Sequence, residues 1–327
     1  MRLSIVILNW NGKLLLKKFL PNIILYTPKT PIYVVDNSSE DDSIEFINRE
    51  HKNVTVIRLL KNMGYAKAYN YALKKIESDI YCLINNDIMV TNDWTSPIIS
   101  AFIDKKVDVA QPLILDFNNK NKFEYAGAAG GFIDKFGYPF CRGRIFDNIE
   151  INTGQYDNSI NISWASGACM FVNKRCWKSL GGFDEDFFMH QEEIDFCWRA
   201  MNLNMNIMCI ADSKVYHVGS GSNLSSNDKT YFNHRNSLLC LVKNVDKKNL
   251  IVVLLVRSFF EFIAVFFYLF KGKISKSFMI VKSYFKFIML FKKFYKKRQN
   301  FFSIKYYKRY SIIFDSYIFG KNKFSEF

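Results

Sequence analysis

Cysteine pairs with a recognisable spacing are missing from this sequence, and so is a signal peptide before its first predicted strand. The seven cysteines are odd in number and irregularly spaced, without a Cys-x-x-Cys pair, so neither a zinc site nor a disulfide framework is indicated. Met1 and Arg2 lead straight into the apolar residues 3–8. Both observations favour a reducing, cytoplasmic setting.

Acidic residues are scarce at the carboxyl-terminal end, where the positive charge is concentrated. Residues 271–327 contain 15 Lys and Arg against two acids, Asp315 and Glu326, a net charge of +13. The whole chain carries +15, so only about +2 belongs to everything before residue 271. The basic character is therefore a property of the tail and says little about the rest of the protein.

Apolar strands alternate with amphipathic helices at the start of the chain. The predicted strands cover residues 3–8, 32–35, 54–59 and 80–84, and the predicted helices cover residues 14–25, 39–49 and 65–76. This alternation predicts right-handed βαβ units, and therefore an α/β fold with a mostly parallel sheet and helices on both faces. Polar residues 116–163 predict loops and short strands. A helix over residues 191–200 and strands over 207–210 and 215–218 follow.

Residues 250–270 form an apolar run of 21 residues that is broken by Arg257 and Glu261. A helix of this length is about 31 Å long, close to the thickness of the hydrocarbon core of a bilayer. The two charges are four residues apart, so they share a helix face and can pair. The free-energy cost of inserting these two charges into a membrane nearly balances the gain from inserting the apolar residues. A spanning helix, a monotopic or re-entrant helix and a buried helical hairpin all remain open.

Four lysines share one face of the helix predicted over residues 275–298, namely Lys282, Lys286, Lys293 and Lys297. A basic stripe beside a Phe-rich surface is typical of segments that bind an anionic membrane surface. Nucleic-acid binding is the rival interpretation of a basic, aromatic tail. The neighbouring apolar run favours lipid, and we expect a position at the cytoplasmic face of the cell membrane and no nucleic-acid partner.

Polar side chains follow two of the predicted strands. Asn85, Asn86 and Asp87 end one strand, and Asp36 ends another. In open α/β sheets, ligands bind at this carboxyl edge. A carboxylate flanked by amides suits a hard divalent cation and the phosphates that accompany it, and Asp36 can accept a hydrogen bond from a base or a ribose. Considered alone, residues 85–87 could also be a polar turn after a strand, and Asp36 could also cap a helix or lie in a turn.

The segment over residues 62–70 combines a glycine turn with two amides. Gly64 permits a turn that other residues avoid, and Asn62 and Asn70 can bind ligand groups from the loop and the helix face. The segment follows neither the Gly-x-Gly-x-x-Gly fingerprint nor a Walker phosphate loop. This disfavours a dinucleotide-dependent dehydrogenase and a nucleoside triphosphatase.

Two adjacent carboxylates, Glu192 and Glu193, lie at the start of a predicted helix. A carboxylate that faces a cleft near aromatic residues can have its pKa raised enough to act as a base. Stabilisation of the helix start by its dipole is the plain alternative. Later in the chain, His217 can supply a nitrogen ligand to a divalent ion, and Arg235 can reach a diphosphate.

In their order along the chain, these elements resemble the inverting family 2 glycosyltransferases with a GT-A fold, in particular the rhamnosyltransferase-like enzymes of surface-glycan assembly. The resemblance covers residues 1–244, roughly three-quarters of the chain. It implies a catalytic domain over residues 1–248, with a donor half over about 1–115 and an acceptor half over about 116–248. A membrane-associating region would follow over residues 249–327.

The resemblance also implies roles for individual residues. The nucleotide sugar would be bound by Asn9, Trp10, Asp36, Asn62, Gly64, Asn70 and Asn86. Mg²⁺ or Mn²⁺ would be held by Asp87 and His217. The acceptor side would include Trp164, Gly167 and Asp195. Glu193 would be the catalytic base, but the family usually has Glu-Asp here, so the choice between Glu193 and Glu192 stays open.

The implied activity is the metal-dependent, inverting transfer of a hexosyl residue, with rhamnosyl among the candidates. The donor would be a nucleotide-diphosphate sugar, and the acceptor a hydroxyl of a glycan or a polyprenyl-linked sugar. Two alternatives remain open. A sugar nucleotidyltransferase would need a Gly-rich, Arg- or Lys-bearing loop after the first strand, of which residues 9–13 are a poor version. A non-catalytic membrane scaffold would not need Asp87, Glu193 and His217.

Overall fold

The computed structural model describes residues 1–219, 225–299 and 305–327. The strands are β1 (Leu3–Asn9), β2 (Ile32–Asp36), β3 (Thr55–Arg58), β4 (Ile80–Asn85), β5 (Ile88–Val90), β6 (Val109–Asp116), β7 (Gly131–Ile133), β8 (Pro139–Cys141), β9 (Arg144–Ile145), β10 (Asn148–Ile149), β11 (Ile160–Asn161), β12 (Cys169–Asn173) and β13 (Ile207–His217). The helices are α1 (Lys13–Tyr26), α2 (Ser43–Glu50), α3 (Gly64–Leu73), α4 (Ser96–Asp104), α5 (Lys174–Leu180), α6 (Glu192–Asn202), α7 (Ser226–Asn244), α8 (Lys247–Phe270) and α9 (Ile274–Lys296).

A central sheet has the strand order β11-β13-β6-β12-β4-β1-β2-β3, and β5 pairs with β13. Strands β3, β2, β1 and β4 run parallel, as the alternation predicted. Strand β12 is antiparallel to both β4 and β6. The antiparallel strand β12 therefore interrupts a sheet in which β3, β2, β1 and β4 pair in parallel, as do β6 and β13. The reason is that β12 follows a long irregular segment, and an antiparallel partner needs no helical crossover.

The central strands are buried on both faces, so polar side chains are left to their ends. In β1, Val6 belongs to one apolar core, and Ile5 and Ile7 belong to the core on the opposite face. This follows from the two-residue period of a strand. The first polar side chain after this apolar run is Asn9, at the carboxyl end of β1. Polar side chains are therefore concentrated at the carboxyl edge of the sheet.

Besides shifts of one to three residues at the ends of other elements, two predictions of secondary structure differ from the structure. Helix α2 begins at Ser43 and not at Ser39, because the Ser39 hydroxyl accepts hydrogen bonds from Asn9 and from the Asn11 backbone. The two strands predicted over 207–210 and 215–218 form one strand, β13, with an irregularity between Ile210 and Lys214.

Part of the predicted loop region forms a second, small sheet of strands β10-β9-β8-β7. The end of the chain packs back against it. The ring of Phe324 stacks on Phe132 at 5.2 Å, and the Lys308 N–H donates to the Ile133 carbonyl at 2.9 Å. Residues 305–327 are therefore attached to the part of the protein predicted to be the acceptor half.

Helices α8 and α9 form a hairpin that packs against α7. Arg257 and Glu261 pair at 2.8 Å, which confirms the predicted contact. Both are buried, because Arg257 also donates to the Phe136 carbonyl and the Ser237 hydroxyl, and Glu261 pairs with His234. The charged face of α8 is thus turned toward the rest of the protein.

Two of the four lysines predicted to face a membrane pair with acids of a distant segment instead. Lys293 pairs with Asp186 at 2.7 Å, and Lys297 pairs with Asp184 at 2.5 Å and with Asp186 at 2.6 Å. The prediction of a four-lysine membrane stripe is therefore wrong for these two residues. The helix period groups the lysines correctly, but the acids that they meet come from a distant segment.

The outer faces of α8 and α9 expose apolar side chains, which we call the apolar belt. Its members are Ile251, Val252, Leu255, Phe259, Phe262, Ile263, Phe266, Phe267, Phe270, Phe278, Phe285, Ile288 and Met289. Exposed lysines stand at both ends of α8, with Lys247 and Lys248 before the helix interior and Lys271 and Lys273 after it. Within the described ranges, α8 is the one helix long and apolar enough to cross a membrane, by length and composition.

Candidate active site

Polar side chains from three parallel strands meet at the carboxyl edge of the sheet. Asn9, at the end of β1, donates to Asp36 at 3.3 Å and accepts from Asn86 at 2.9 Å. Asp36 also accepts from the Ser39 N–H at 3.1 Å. The structure therefore brings three of the predicted nucleotide-sugar residues into one hydrogen-bonded chain. Trp10, directly after Asn9, is 44% exposed and free to meet a ligand.

Asp87 and His217 lie together because β5 pairs with the end of β13, where Ile88 is opposite His217. The distance from Asp87 Oδ1 to His217 Nε2 is 3.1 Å. On the other side of the ring, His217 Nδ1 is 3.1 Å from Glu124 Oε1. Burial opposes a charge on His217, but hydrogen bonds with Asp87 and Glu124 outweigh it and raise the pKa of the imidazole to about 10.

This arrangement fits a divalent cation. A carboxylate oxygen and an imidazole nitrogen suit Mn²⁺ or Mg²⁺. A second carboxylate on the remote nitrogen is the usual partner of a metal-binding histidine, because it fixes the ring and its tautomer. In the described part of the chain, no group of three or more His, Cys, Asp or Glu side chains is arranged to hold a metal. Two protein ligands fill only part of the octahedral shell of a cation such as Mg²⁺, so Asp87 and His217 would leave positions for a diphosphate.

Glu192 and Glu193 begin α6, and the polar end of each is buried. In residues 1–219, 225–299 and 305–327, neither Glu192 Oε2 nor Glu193 Oε2 has a hydrogen-bond partner. Burial raises the pKa of Glu193 to about 7 and raises that of Glu192 well above its usual range, where the nearby Glu193 charge also contributes. Glu193 is the less buried of the two residues. The pair thus holds one carboxyl group that titrates near neutral pH.

A short chain of contacts connects Glu193 to the edge of the sheet. A side-chain carbon built on Gly167 would lie 3.9 Å from the Cβ of Glu193 and 3.0 Å from the Tyr65 hydroxyl. Tyr65 donates to the Gly167 carbonyl at 2.7 Å. The next carbonyl, of Ala168, accepts from the Asn85 N–H at 3.0 Å. The glutamate pair therefore lies near the motif that contains Asp87.

Gly64 and Asn62 shape the loop before α3. Gly64 has φ +75°, and a Cβ there would lie 2.8 Å from the ring and carbonyl of Phe188. Because Gly64 has no side chain, the ring of Phe188 can pack directly against its backbone. Asn62 is exposed and accepts from Asn37 and from the Gly64 N–H, both at 2.9 Å.

Asn70 and Trp164 are bonded to backbone groups inside the protein. The amide of Asn70 donates to the Phe183 carbonyl at 2.8 Å and accepts from the Phe183 N–H at 3.0 Å. The Trp164 indole donates to the Phe132 carbonyl at 2.9 Å and is 3% exposed. In this structure both residues position loops rather than line the edge of the sheet.

Asp195 and Arg235 are also used internally. Asp195 is fully buried and pairs with Arg199 and Lys243, each at 2.8 Å. It joins α6 to α7, so its placement on the acceptor side has to be corrected. The period of α6 could not reveal this, because Lys243 belongs to a different helix. Arg235 donates to the Phe187 carbonyl at 3.1 Å and stays buried.

Two functional candidates were missed by sequence reasoning. Glu124 lies in a segment without helical or strand periodicity, so nothing local indicated its contact with His217. Tyr65 was treated only as the start of a helix, but its hydroxyl bridges α3 to the loop before β12. A signal for Tyr65 existed, since an aromatic residue directly after Gly64 in a ligand-binding loop is a natural candidate for contact with a neighbouring loop.

Comparison with known proteins identifies the family. Residues 4–173, just over half of the chain, match the model of glycosyl transferase family 2. A low-salt glycan biosynthesis hexosyltransferase, Agl10 of Haloferax volcanii, is 24% identical over 246 residues, which are 72% of this chain and 74% of that protein. The dTDP-rhamnosyl transferase RfbF of Shigella flexneri is 24% identical over 65% of this chain and 71% of its own length.

The name of a third relative includes a lipid-linked sugar. The N-acetylglucosaminyl-diphospho-decaprenol L-rhamnosyltransferase of Mycobacterium tuberculosis is 23% identical over 62% of this chain and 71% of its own length. Among solved structures, TarS 1-349 of S. aureus in complex with UDP-GlcNAc has a TM-score of 0.57 and 17% identity, over 91% of this chain and 84% of that one.

A second solved structure contains a metal ion. The mannosyltransferase PcManGT of Pyrobaculum calidifontis, in complex with GDP-Man and Mn²⁺, has a TM-score of 0.56 and 12% identity, over 88% of this chain and 87% of that one. These similarities show that the fold is the GT-A glycosyltransferase fold, as predicted from the sequence motifs.

Proposed function

The chain belongs to glycosyl transferase family 2, and we propose that it transfers a hexosyl residue, with inversion, from a nucleotide-diphosphate sugar to a hydroxyl of a glycan or polyprenyl-linked acceptor. One observation carries the proposal. Glu193, whose buried carboxyl group titrates near neutral pH, lies against Gly167 beside the edge of the sheet that contains Asp87. Relatives named hexosyl- and rhamnosyltransferases support this reaction over the nucleotidyltransferase and scaffold alternatives.

The donor would lie across the carboxyl ends of β1, β2 and β4. Asp36 has lone pairs left for a base or ribose, since it accepts one bond on each oxygen. Exposed Trp10 offers an aromatic face to the base, and exposed Asn62 offers an amide. Asn86, held by Asn9, would approach the ribose.

Asp87 and His217 would hold Mg²⁺ or Mn²⁺, with Glu124 fixing the imidazole. A divalent cation bound there would neutralise the charge of the departing diphosphate. The two carboxylates and the imidazole are already packed together in a buried site, so little rearrangement is needed to receive positive charge.

Glu193 would act as the base. Its carboxylate takes the proton of the acceptor hydroxyl while the hydroxyl oxygen forms a bond to the anomeric carbon. The bond from that carbon to the diphosphate oxygen breaks on the opposite face, and the diphosphate leaves with the electron pair. Configuration therefore inverts. Burial and the nearby charge of Glu193 raise the pKa of Glu192 well above its usual range, so Glu192, the more deeply buried of the two, is the weaker candidate for the base.

Replacing Glu124 with glutamine should weaken the affinity for Mn²⁺ by about 10- to 100-fold, because the imidazole loses the carboxylate that orients it. Calorimetric titration of Mn²⁺ in the presence of a nucleoside diphosphate measures this affinity without turnover. The matched control is Glu45→Gln, an exposed glutamate on α2. Equal Mn²⁺ affinities for the two variants would remove Glu124 from the site.

The apolar belt supports a monotopic position on the cytoplasmic face of the membrane. The two charged residues in the interior of α8, Arg257 and Glu261, are buried against Phe136 and α7, so α8 lies along the protein and presents its apolar side outward. Exposed lysines at both ends of α8 suit an anionic lipid surface. A membrane-bound enzyme would have its active site near a polyprenyl-linked acceptor. We therefore favour monotopic binding over a spanning helix.

Replacing Phe259 and Phe262 together with serine should weaken binding to phosphatidylglycerol-containing vesicles by at least about tenfold. The two side chains are 61% and 60% exposed, and burial of a phenylalanine contributes about 1.5–3 kcal/mol when it is complete. Vesicle co-sedimentation measures the effect. The control is the double variant Leu14→Ser and Leu60→Ser, which removes two exposed apolar side chains far from the belt in sequence. Unchanged sedimentation of the Phe variant, or none by the parent chain, would contradict this assignment.

The donor class is tested by thermal stability. A panel of nucleotide-diphosphate sugars with Mn²⁺ should contain at least one member that raises the melting temperature, because a ligand that binds only the folded state stabilises it. The corresponding nucleoside monophosphate should give a smaller shift. No shift with any donor would argue against nucleotide-sugar binding.

A further inference from the structure

The segment directly before the catalytic glutamates has an unusual backbone. Phe188, His190 and Gln191 have φ values of +66°, +64° and +73°, a region that L residues other than glycine seldom adopt. Such conformations persist only when the surrounding structure holds them in place. We call residues 184–191 the base-approach segment, because α6 and its two glutamates follow at once.

One amide in α7 holds much of this backbone. The side-chain NH₂ of Asn236 donates to the carbonyls of Phe187, Met189 and His190, at 3.2, 2.9 and 2.8 Å. The guanidinium of Arg235 donates to the Phe187 carbonyl as well. These hydrogen bonds hold the carbonyls of Phe187, Met189 and His190, which lie next to or within the residues of positive φ.

The donor half holds the segment from the other side. The N–H of Tyr65, the second residue of α3, donates to the Phe188 carbonyl at 3.1 Å. The Phe188 ring packs against Gly64, where it leaves no room for a Cβ. The base-approach segment is therefore a bridge between the loop assigned to the nucleotide sugar and the helix that contains the base.

The end of α9 holds the start of the segment. Lys297 contacts both Asp184 and Asp186, and Lys293 contacts Asp186. The ring of Phe294 packs edge-on against Phe187 at 5.3 Å. Burial opposes the charge of Asp184, but Lys243 and Lys297 outweigh it and hold the pKa of that carboxyl group well below its usual range.

We infer that Lys297, in the carboxyl-terminal tail, is a positioning residue for the catalytic base: by holding Asp184 and Asp186 it fixes the base-approach segment, and through it Glu193. Its role in catalysis rests on the proposed function. Lys297 contacts no reacting group itself. The tail hairpin then has two roles, since α8 contributes the apolar belt and the last turn of α9 completes the framework of the active site.

The test compares Lys297→Met with Lys296→Met in the full-length chain. Both variants remove one positive charge from neighbouring positions. Lys296 is exposed, whereas Lys297 is the one of the two that pairs with Asp184 and Asp186 in the described part of the chain. Hydrogen exchange followed by mass spectrometry reports the protection of residues 184–192, and steady-state kinetics report kcat, the donor KM and the dependence of kcat on pH.

We expect faster exchange of residues 184–192 in Lys297→Met than in Lys296→Met and the parent chain. We also expect kcat to fall by about 10- to 100-fold, as for a misplaced catalytic group, with the donor KM unchanged and the pH midpoint of kcat displaced. Lys297→Arg keeps the charge and should restore all three. In an Asp184→Asn, Asp186→Asn background, Lys297→Met should have little further effect.

Unchanged exchange in Lys297→Met would overturn the inference whether or not the protein is active. Faster exchange with kcat and its pH profile unchanged would also overturn it, because the segment would then not position the base. If Lys297→Met lowers only the melting temperature, and kcat measured well below that temperature is preserved, then the role of Lys297 is purely structural. Failure of the proposed function would give a different result. The parent chain would then turn over no donor, while Lys297→Met would still speed the hydrogen exchange of residues 184–192.

Discussion

The transfer rate of a Glu193→Gln variant is expected to be lower by about 10²–10⁴-fold, the usual contribution of a general base. The substitution keeps the shape of the side chain and removes its basicity. Donor binding should survive, since Glu193 is assigned to the acceptor hydroxyl and not to the nucleotide. The rate of glycosyl transfer and the donor-induced thermal shift measure the two effects separately.

The pH dependence of the same reaction gives an independent check. A base works in its deprotonated form, and burial raises the pKa of Glu193 to about 7. The parent enzyme should therefore gain activity as the pH rises through about 7 and level off above it. The Gln variant should lose this step. Glu192→Gln is the matched control and should be the milder change, because burial raises the pKa of Glu192 well above its usual range and disfavours the charged form that a base needs. An inactive Glu192 variant beside an active Glu193 variant would move the base to Glu192.

Replacing Asp87 with alanine is expected to reduce transfer by at least ~100-fold, because the site loses its carboxylate ligand and His217 alone cannot retain the ion. Asp87 is the carboxylate of the Asn85-Asn86-Asp87 motif and lies 3.1 Å from His217. Affinity for Mn²⁺ in the presence of a nucleoside diphosphate should fall together with the rate.

The control for Asp87 is Asp104→Ala, an exposed aspartate at the end of α4. It should leave both the rate and the Mn²⁺ affinity unchanged. Full activity of the parent enzyme after treatment with EDTA would contradict the assignment of the metal, and so would an Asp87→Ala variant that retains its affinity for Mn²⁺.

Local sequence patterns predicted the donor half well, because its elements are long and strongly periodic. The strand ends then follow from one geometric rule, that parallel strands place their carboxyl ends at the same edge. This rule brought Asp36 and Asn86 to one place, and the family resemblance added Asn9. Their actual hydrogen bonds, with Asn9 in the middle, needed the register of β1 against β2 and β4.

Contacts between distant segments could not be predicted in this way. Glu124 reaches His217 from an aperiodic loop, and Asp195 finds Lys243 on another helix. For α9, the period correctly placed Lys293 and Lys297 on one face, but it could not show which face turns inward. That depended on two aspartates more than a hundred residues earlier in the chain.

For α8 the sequence left three arrangements open, and our proposal of monotopic binding rests on the burial of Arg257 and Glu261. A spanning helix would have to place Arg257 and Glu261 in lipid or pair them with another membrane segment. Instead, Arg257 donates to the Phe136 carbonyl and the Ser237 hydroxyl, and Glu261 pairs with His234. The hairpin of α8 and α9 packs against α7, as the buried alternative predicted, yet its outer face exposes apolar side chains.

The configuration of the product tests the central claim most directly. The full-length chain would be incubated with Mn²⁺, the donor identified by thermal shift and a lipid-linked glycan acceptor, and the anomeric configuration of the new linkage determined by nuclear magnetic resonance. The account predicts a product of inverted configuration and one nucleoside diphosphate released per bond formed. A product with retained configuration, or formation of a nucleotide-sugar bond with release of pyrophosphate, would contradict it.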